Sequence, residues 1–498
     1  MTPEKIDERR DLDKKFAGGL AWTAGAKWAT QVLTWASVFA VARLLSQSDV
    51  GIGDIAGMFT GLTNVLAEFG IATAVLHMPE LDRKTLGQLH VFSLLLCTGL
   101  FGLSVLAAPG IALFFHSDHV MLFVANNIGF LITGMQAVPF GLLQRDMDYR
   151  RIALLEAMAG IVTAIVTIVT AWYGWGYWAL FAGANSGKFC GMVGLCYLKR
   201  VPFAWPRWSA IRKPVEMGRH VAIGRLAAAA YTFSDGIVIG RTMGEATLGT
   251  YRMAMNLASA PAEKISSLIM RTATPLFANV MNDPALTRRY YLIIVELLSL
   301  SVAPLMLGLV TVAPQAVSLV LSPKWIAATR PLQWLGLFMI FRVLGVVAEQ
   351  VLVAQRLERF TMRMSVLSFV VMPVAFIFAA RWNGPNGVAA AWITLSPVTI
   401  APLLIILQNK ISLTLREYAA ALVPALLGSA VMCLGVFAIG RRLPSTWRLE
   451  FQLAVEVVAG GAVYAGFLLA FFRGRLQRYA TFLAGLRKGK TNPGPVLA

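Results

Sequence analysis

About fourteen apolar stretches run through this chain, and its lysines and arginines gather in every second loop between them. A hydrocarbon core roughly 30 Å thick takes about 20 residues of helix. Within that core each backbone amide must find its partner in its own segment. The chain is thereby confined to a bundle of membrane-crossing helices. Composition agrees, since 57% of residues are hydrophobic and 14% charged, and the mean hydropathy is +0.67. That balance is far from the one found in soluble enzymes. The expected fold is all-α and polytopic, with about 14 transmembrane helices.

The cation pattern sets the orientation. Lys5, Arg9, Arg10, Lys14 and Lys15 precede the first apolar run. Alternate loops then carry Arg83-Lys84, Arg145, Arg150-Arg151, Lys199-Arg200, Arg288-Arg289, Arg356, Arg359 and Lys410, and the tail adds Arg473 to Lys490. The opposite loops hold only Arg241, Lys324, Arg330, Arg381, Arg441, Arg442 and Arg448. Both termini are expected in the cytoplasm. The polar start, MTPEKIDERRDLDKKF, lacks the build of a cleaved secretory signal and reads as a retained cytoplasmic end. The chain then divides into an N-terminal segment (1–16), six spans (17–198), a cytoplasmic linker (199–214), six more spans (215–408), two further spans (409–472) and a basic cytoplasmic tail (473–498).

An internal repeat runs through the first twelve spans. Ala42-Arg43 and Gly51 match Gly240-Arg241 and Gly249, with Gln47 on Glu245 and Val50 on Leu248. Upstream, Lys27 falls on Arg225, Thr34 on Thr232 and Trp35 on Phe233. Gln144-Arg145 with Tyr149 matches Gln355-Arg356 with Phe360 at a second topologically equivalent place, the register shifting because the loop at 313–331 is longer than that at 115–119. Six spans per repeat is an even number, so the two six-helix lobes form a parallel pseudo-repeat about an axis along the membrane normal. Two extra C-terminal helices follow.

Ionisable residues inside spans are expensive and mark cavities or partners. Lys27 lies in span 1, Asp54 and Glu68 in span 2, Arg225 and Asp235 in span 7, and Arg252, Glu263, Lys264 and Arg271 in span 8. The repeat brings Lys27 and Arg225 to equivalent places, and a cavity with paired cations suits an anionic substrate. Asp54 falls opposite Arg252 in the repeat, which makes either a gate ion pair or two side chains snorkelling to the interface. Glu68 and Asp235 either couple transport to a change of protonation or neutralise nearby cations. Arg342 and Glu349 share a helix face and read as a structural pair; Lys188 has no partner legible in the sequence. Glycines at 183, 187 and 191, and at 57 and 61, mark close helix contacts.

The net charge of +19 is spread over many short loops, with no basic aromatic face for nucleic acid. Anionic lipid headgroups are the better partner. Cys97, Cys190, Cys196 and Cys433 have no metal-like spacing, and His116 with His119 lacks a third ligand. No metal site, cofactor or catalytic residue is expected. Phosphate loops, HExxH motifs and nucleophile elbows are absent from the sequence.

The segment from Asp235 to Gly244 (DGIVIGRTMG), then Leu248-Gly-Thr-Tyr251 and Asn256-Leu-Ala258, resembles the polysaccharide transporter family. So do Leu321-Ser-Pro-Lys-Trp325 and Gln144 to Arg151. The chain is similar to Wzx-type flippases, including those for colanic acid and succinoglycan, of the MATE/MVF/PST (MOP) superfamily. The resemblance implies two six-helix lobes that move a polyprenyl-diphosphate-linked oligosaccharide across a bacterial inner membrane by alternating access. Polysaccharide polymerase and export machinery are the implied partners. Lys27, Arg225, Arg252 and Lys264 would then face the diphosphate and sugar, and Asp54, Glu68, Asp235 and Glu263 would serve coupling or gating. The competing expectation is a cation-coupled drug exporter, which would want acidic groups to dominate its cavity.

Overall fold

The computed structural model describes residues 36–68, 75, 82–146, 148–444 and 446–475, and every regular element among them is helical. The chain divides into two compact units between Gly249 and Thr250. The first holds α1 (36–44), α2 (Gln47–Glu68), α3 (Arg83–Phe115), α4 (Val120–Asn126), α5 (Gly129–Arg145), α6 (Tyr149–Trp172), α7 (Trp178–Leu198) and α8 (Trp208–Met243). The second holds nearly all of α9 (Glu245–Val280), then α10 (Pro284–Thr311), the short α11 (Ala313–Ala316), α12 (Thr329–Ala354), α13 (Glu358–Ile411), α14 (Leu415–Gly440) and α15 (Leu449–Phe471).

Among the described residues eight helical stretches are long and apolar enough to cross a membrane. One of them, Arg359–Ile411, is long enough for two spans, and Asn383 and Gly384 break it with non-helical dihedrals. Gly384 sits at φ 55°, a conformation that costs glycine nothing and other residues a Cβ clash. The helices α2, α7, α8 and α9 are also 21 residues or longer, but each carries polar or charged side chains. They include the helices that the sequence marks with intramembrane charges.

Local chemistry explains where helices begin. Asp82, Asp148 and Asp283 each accept a hydrogen bond from a backbone N–H in the first turn of α3, α6 and α10, and Pro284 adds a pre-set φ at the start of α10. Thr414 and Glu417 form a reciprocal capping box on α14. Thr414→Ala is expected to cost about 1 kcal/mol of stability, measured as a lowered denaturation midpoint.

Three of the five glycines read as close helix contacts prove to be so, whereas a Cβ on Gly57 would meet nothing within 4 Å and one on Gly191 only Ala159 at 3.8 Å. On α7, a Cβ at Gly183 would overlap the Thr167 hydroxyl of α6, and one at Gly187 would overlap that of Thr163. Gly61 of α2 packs on the Phe233 ring of α8, which joins those two helices. The fourth apolar run is not one helix: the chain turns at residues 127–128, between α4 and α5. Asn126 bridges that break by donating to Thr60 Oγ1 (2.7 Å) and to the Ala56 carbonyl (3.1 Å) of α2. The 313–331 segment, read as a long loop, forms α11, one π turn and one 3-10 turn, and buries Trp325 completely. In the second unit Trp392 lies between Phe338 and Phe376 and donates its indole N–H to Tyr251 Oη at 3.1 Å.

The starts of α2 and α9 cross without room for a side chain. A Cβ on Gly51 would overlap the Glu245 carbonyl, and one on Gly249 would overlap the Gln47 carbonyl. The repeat pairs Gly51 with Gly249 and Gln47 with Glu245. The two close approaches are therefore reciprocal within the repeat.

Candidate functional site

Helix α9 carries the clearest polar face in the second unit. Arg252, Asn256, Ser259, Glu263 and Ser267 recur every three or four residues, which sets them on one side of a 3.6-residue helix. Glu263 Oε1 accepts from Arg342 Nη2 of α12 at 3.1 Å, with the two side chains 55% and 38% exposed. This corrects the expectation that Arg342 pairs with Glu349 on its own helix. Ionisable side chains within a membrane are expensive to face toward lipid and usually meet a partner or a cavity. Lys264 is also exposed, and Arg252 is half-buried near the start of the stripe.

The first unit distributes its charges differently. Asp54 is half-buried on α2. Asp235 is fully buried on α8, where its carboxylate accepts from the Gly236 N–H at 2.6 Å. The Gly61 contact with Phe233 sets those two helices side by side. Glu68 ends α2 and Arg225 lies on α8, but their side chains fall outside the described residues, as does all of Lys27. Glu263, singled out in the sequence, is thus joined to a partner that the sequence had assigned elsewhere. Among the described residues no group of three or more His, Cys, Asp or Glu is placed to hold a metal ion.

Residues 40–330 match the family described as polysaccharide biosynthesis protein. The chain belongs to that family. Among polysaccharide biosynthesis proteins, it is 22% identical over 436 residues to the lipopolysaccharide biosynthesis protein WzxC of Escherichia coli (strain K12), covering 82% of this chain and 85% of WzxC. It is also 22% identical over 479 residues to the teichuronic acid biosynthesis protein TuaB of Bacillus subtilis (strain 168), covering 91% of this chain and 95% of TuaB. Its fold is that of the lipid II flippase MurJ in an inward closed conformation, with a TM-score of 0.75, 14% identity, and coverage of 91% of this chain and 99% of MurJ. It is a multi-span membrane protein.

Three polar groupings of this family member escaped the sequence reading because each joins residues far apart in the chain. His116 and His119, read as a solvated pair, lie in a contact cluster: Arg241 Nη1 is 2.8 Å from the His116 ring, and His119 Nε2 is 4.0 Å from Glu245. Glu296 of α10, only 4% exposed, meets Arg475 beyond α15 at 3.2 Å. Lys188 lines a cavity of about 480 Å³ among α5, α6 and α7, together with Glu156 and Gln136. Lys188 left a trace in the sequence as a lysine in an apolar segment, and the two histidines left one as a pair three residues apart.

Proposed function

We propose that this chain carries a polyprenyl-diphosphate-linked oligosaccharide from the cytoplasmic to the outer leaflet of a bacterial inner membrane by alternating access. It does so as two six-helix lobes, 17–198 and 215–408, with two further helices in 409–472, fourteen spans in all and both termini in the cytoplasm. The substrate is moved, not transformed, and polymerase and export machinery receive it. The observation that carries this reading is the open polar stripe of α9 with its Arg342–Glu263 pair, set in a chain of the polysaccharide biosynthesis family. Such a stripe is of use only where water and a polar cargo enter the bilayer.

The cargo's diphosphate calls for cations in that cleft, where charge-assisted contacts are stronger than neutral ones. Arg252 and Lys264 supply them from α9, and Lys27 and Arg225 supply a symmetric pair by virtue of the repeat. Glu263 holds Arg342 and so belongs to the gating set with Asp54, Glu68 and Asp235. Loss of one charge-assisted hydrogen bond is worth about 1.5–3 kcal/mol, so Arg252→Gln is expected to cut export about tenfold or more at unchanged protein level.

The test compares a deletion strain with the same strain carrying wild type or Arg252→Gln. Secreted polymer and lipid-linked units held on the cytoplasmic leaflet are measured. Lost polymer with trapped units is the expected result. Normal polymer with altered sensitivity to drugs or small cations would instead make the protein a drug exporter.

A further inference from the structure

The cavity among α5, α6 and α7 plays no part in the transport reading, and its chemistry is specific. Lys188 makes no hydrogen bond or ion pair among the described residues. Its ammonium lies over Gly129, where a Cβ would stand 3.0 Å from Lys188 Nζ and 3.2 Å from Asn185 Oδ1. That Asn185 oxygen is itself buried without a partner. Glu156 lines the same cavity from α6, yet the two opposite charges do not pair across it. The space between them fits a group that brings an anion to Lys188 and a hydrogen-bond donor to Glu156.

Apolar walls come from Phe140, Ile152, Leu155 and Leu195, interspersed with the polar side chains of Thr133, Gln136, Gln144 and Thr163. Further along α6, Ile161, Ile165 and Val169 are exposed, as a face toward lipid would be. The cavity lies toward the turn between Arg145 and Tyr149, the side that the charge pattern assigns to the cytoplasm. An occupant with an apolar body and an anionic head suits these walls. We propose that this cavity binds the phosphate of an amphiphile whose adjoining group donates hydrogen bonds. A lysine is a fitting point charge for such a phosphate. Two sources carry this chemistry: the phosphate and ammonium of phosphatidylethanolamine in the bilayer, or the phosphate–sugar junction of a lipid-linked saccharide. The second source rests on the transport reading; the first stands without it.

The test uses purified full-length protein, stripped of lipid and then offered either phosphatidylethanolamine or undecaprenyl diphosphate carrying one hexose. Retained lipid is counted by native mass spectrometry. Lys188→Met should lower retention at least tenfold, while Lys188→Arg stays within twofold of wild type. Gly191→Leu should act like Lys188→Met, because a Cβ there meets only Ala159 at 3.8 Å and the larger side chain fills the cavity. It also decides the matter should Lys188→Met fail to fold.

Glu156→Gln separates the sources. A further tenfold loss is expected for phosphatidylethanolamine, whose ammonium needs the carboxylate, and a loss below threefold for the saccharide lipid, whose hydroxyls can donate to the amide oxygen instead. Equal retention of both lipids by wild type, Lys188→Met and Gly191→Leu, with unchanged melting temperatures, overturns the proposal. Polymer export by the same variants in the deletion strain reads the transport function separately.

Discussion

Alanine at Gly51 or at Gly249 is expected to destabilise the protein by about 3 kcal/mol, the upper end of what overpacking costs. At both positions the new methyl group would overlap a backbone carbonyl, of Glu245 in one case and of Gln47 in the other. A side chain in the way can rotate; a helix backbone must be pushed back. The two penalties arise at one crossing, so they should not add. Once the first alanine has forced α2 and α9 apart, the second finds part of its space already open, and the double variant should cost less than the two single variants together. Thermal or denaturant unfolding of the four proteins in one detergent measures this. Additive losses, or a large loss at one glycine and none at the other, would contradict the reciprocal contact.

The same crossing shows how much the sequence carried. The Gly51/Gly249 and Gln47/Glu245 matches were legible as a repeat, and the contact unites those four residues. Helix type, the apolar runs and the break near residue 384 were also legible, because hydropathy and glycine act locally. Intramembrane charges were visible as anomalies, yet their partners were not. Arg342 sits seven residues from Glu349 on one helix, and a single helix offers no information about its neighbour. Only packing α12 beside α9 reveals Glu263 as the partner. The cavity around Lys188 is a stronger case, since its walls come from three helices and the sequence shows just one displaced lysine.

Removing the Arg475 side chain is expected to destabilise the protein by about 2–3 kcal/mol, because it strands the buried Glu296 carboxylate while the 38% exposure of Arg475 keeps the loss below that of a fully buried pair. Glu296 is 4% exposed on α10, and its carboxylate accepts from Arg475 Nη1 at 3.2 Å. The same guanidinium nitrogen donates to the Ala420 carbonyl of α14 at 3.2 Å, and the group lies over the Phe472 ring. One side chain thus ties α10 and α14 to the segment that follows α15. Tyr464 of α15 adds a hydrogen bond to the Leu300 carbonyl at 2.8 Å, so α15 is held to α10 at two levels. Arg475→Ala strands the carboxylate, whereas Arg475→Leu with Glu296→Leu removes both charges and fills the space with apolar groups. The double variant should recover most of the loss, because replacing a buried pair outright is often neutral. If Arg475→Ala melts like wild type, the pair is not buried in the membrane-embedded protein. If the double variant is as unstable as Arg475→Ala, the loss comes from packing and not from the stranded charge.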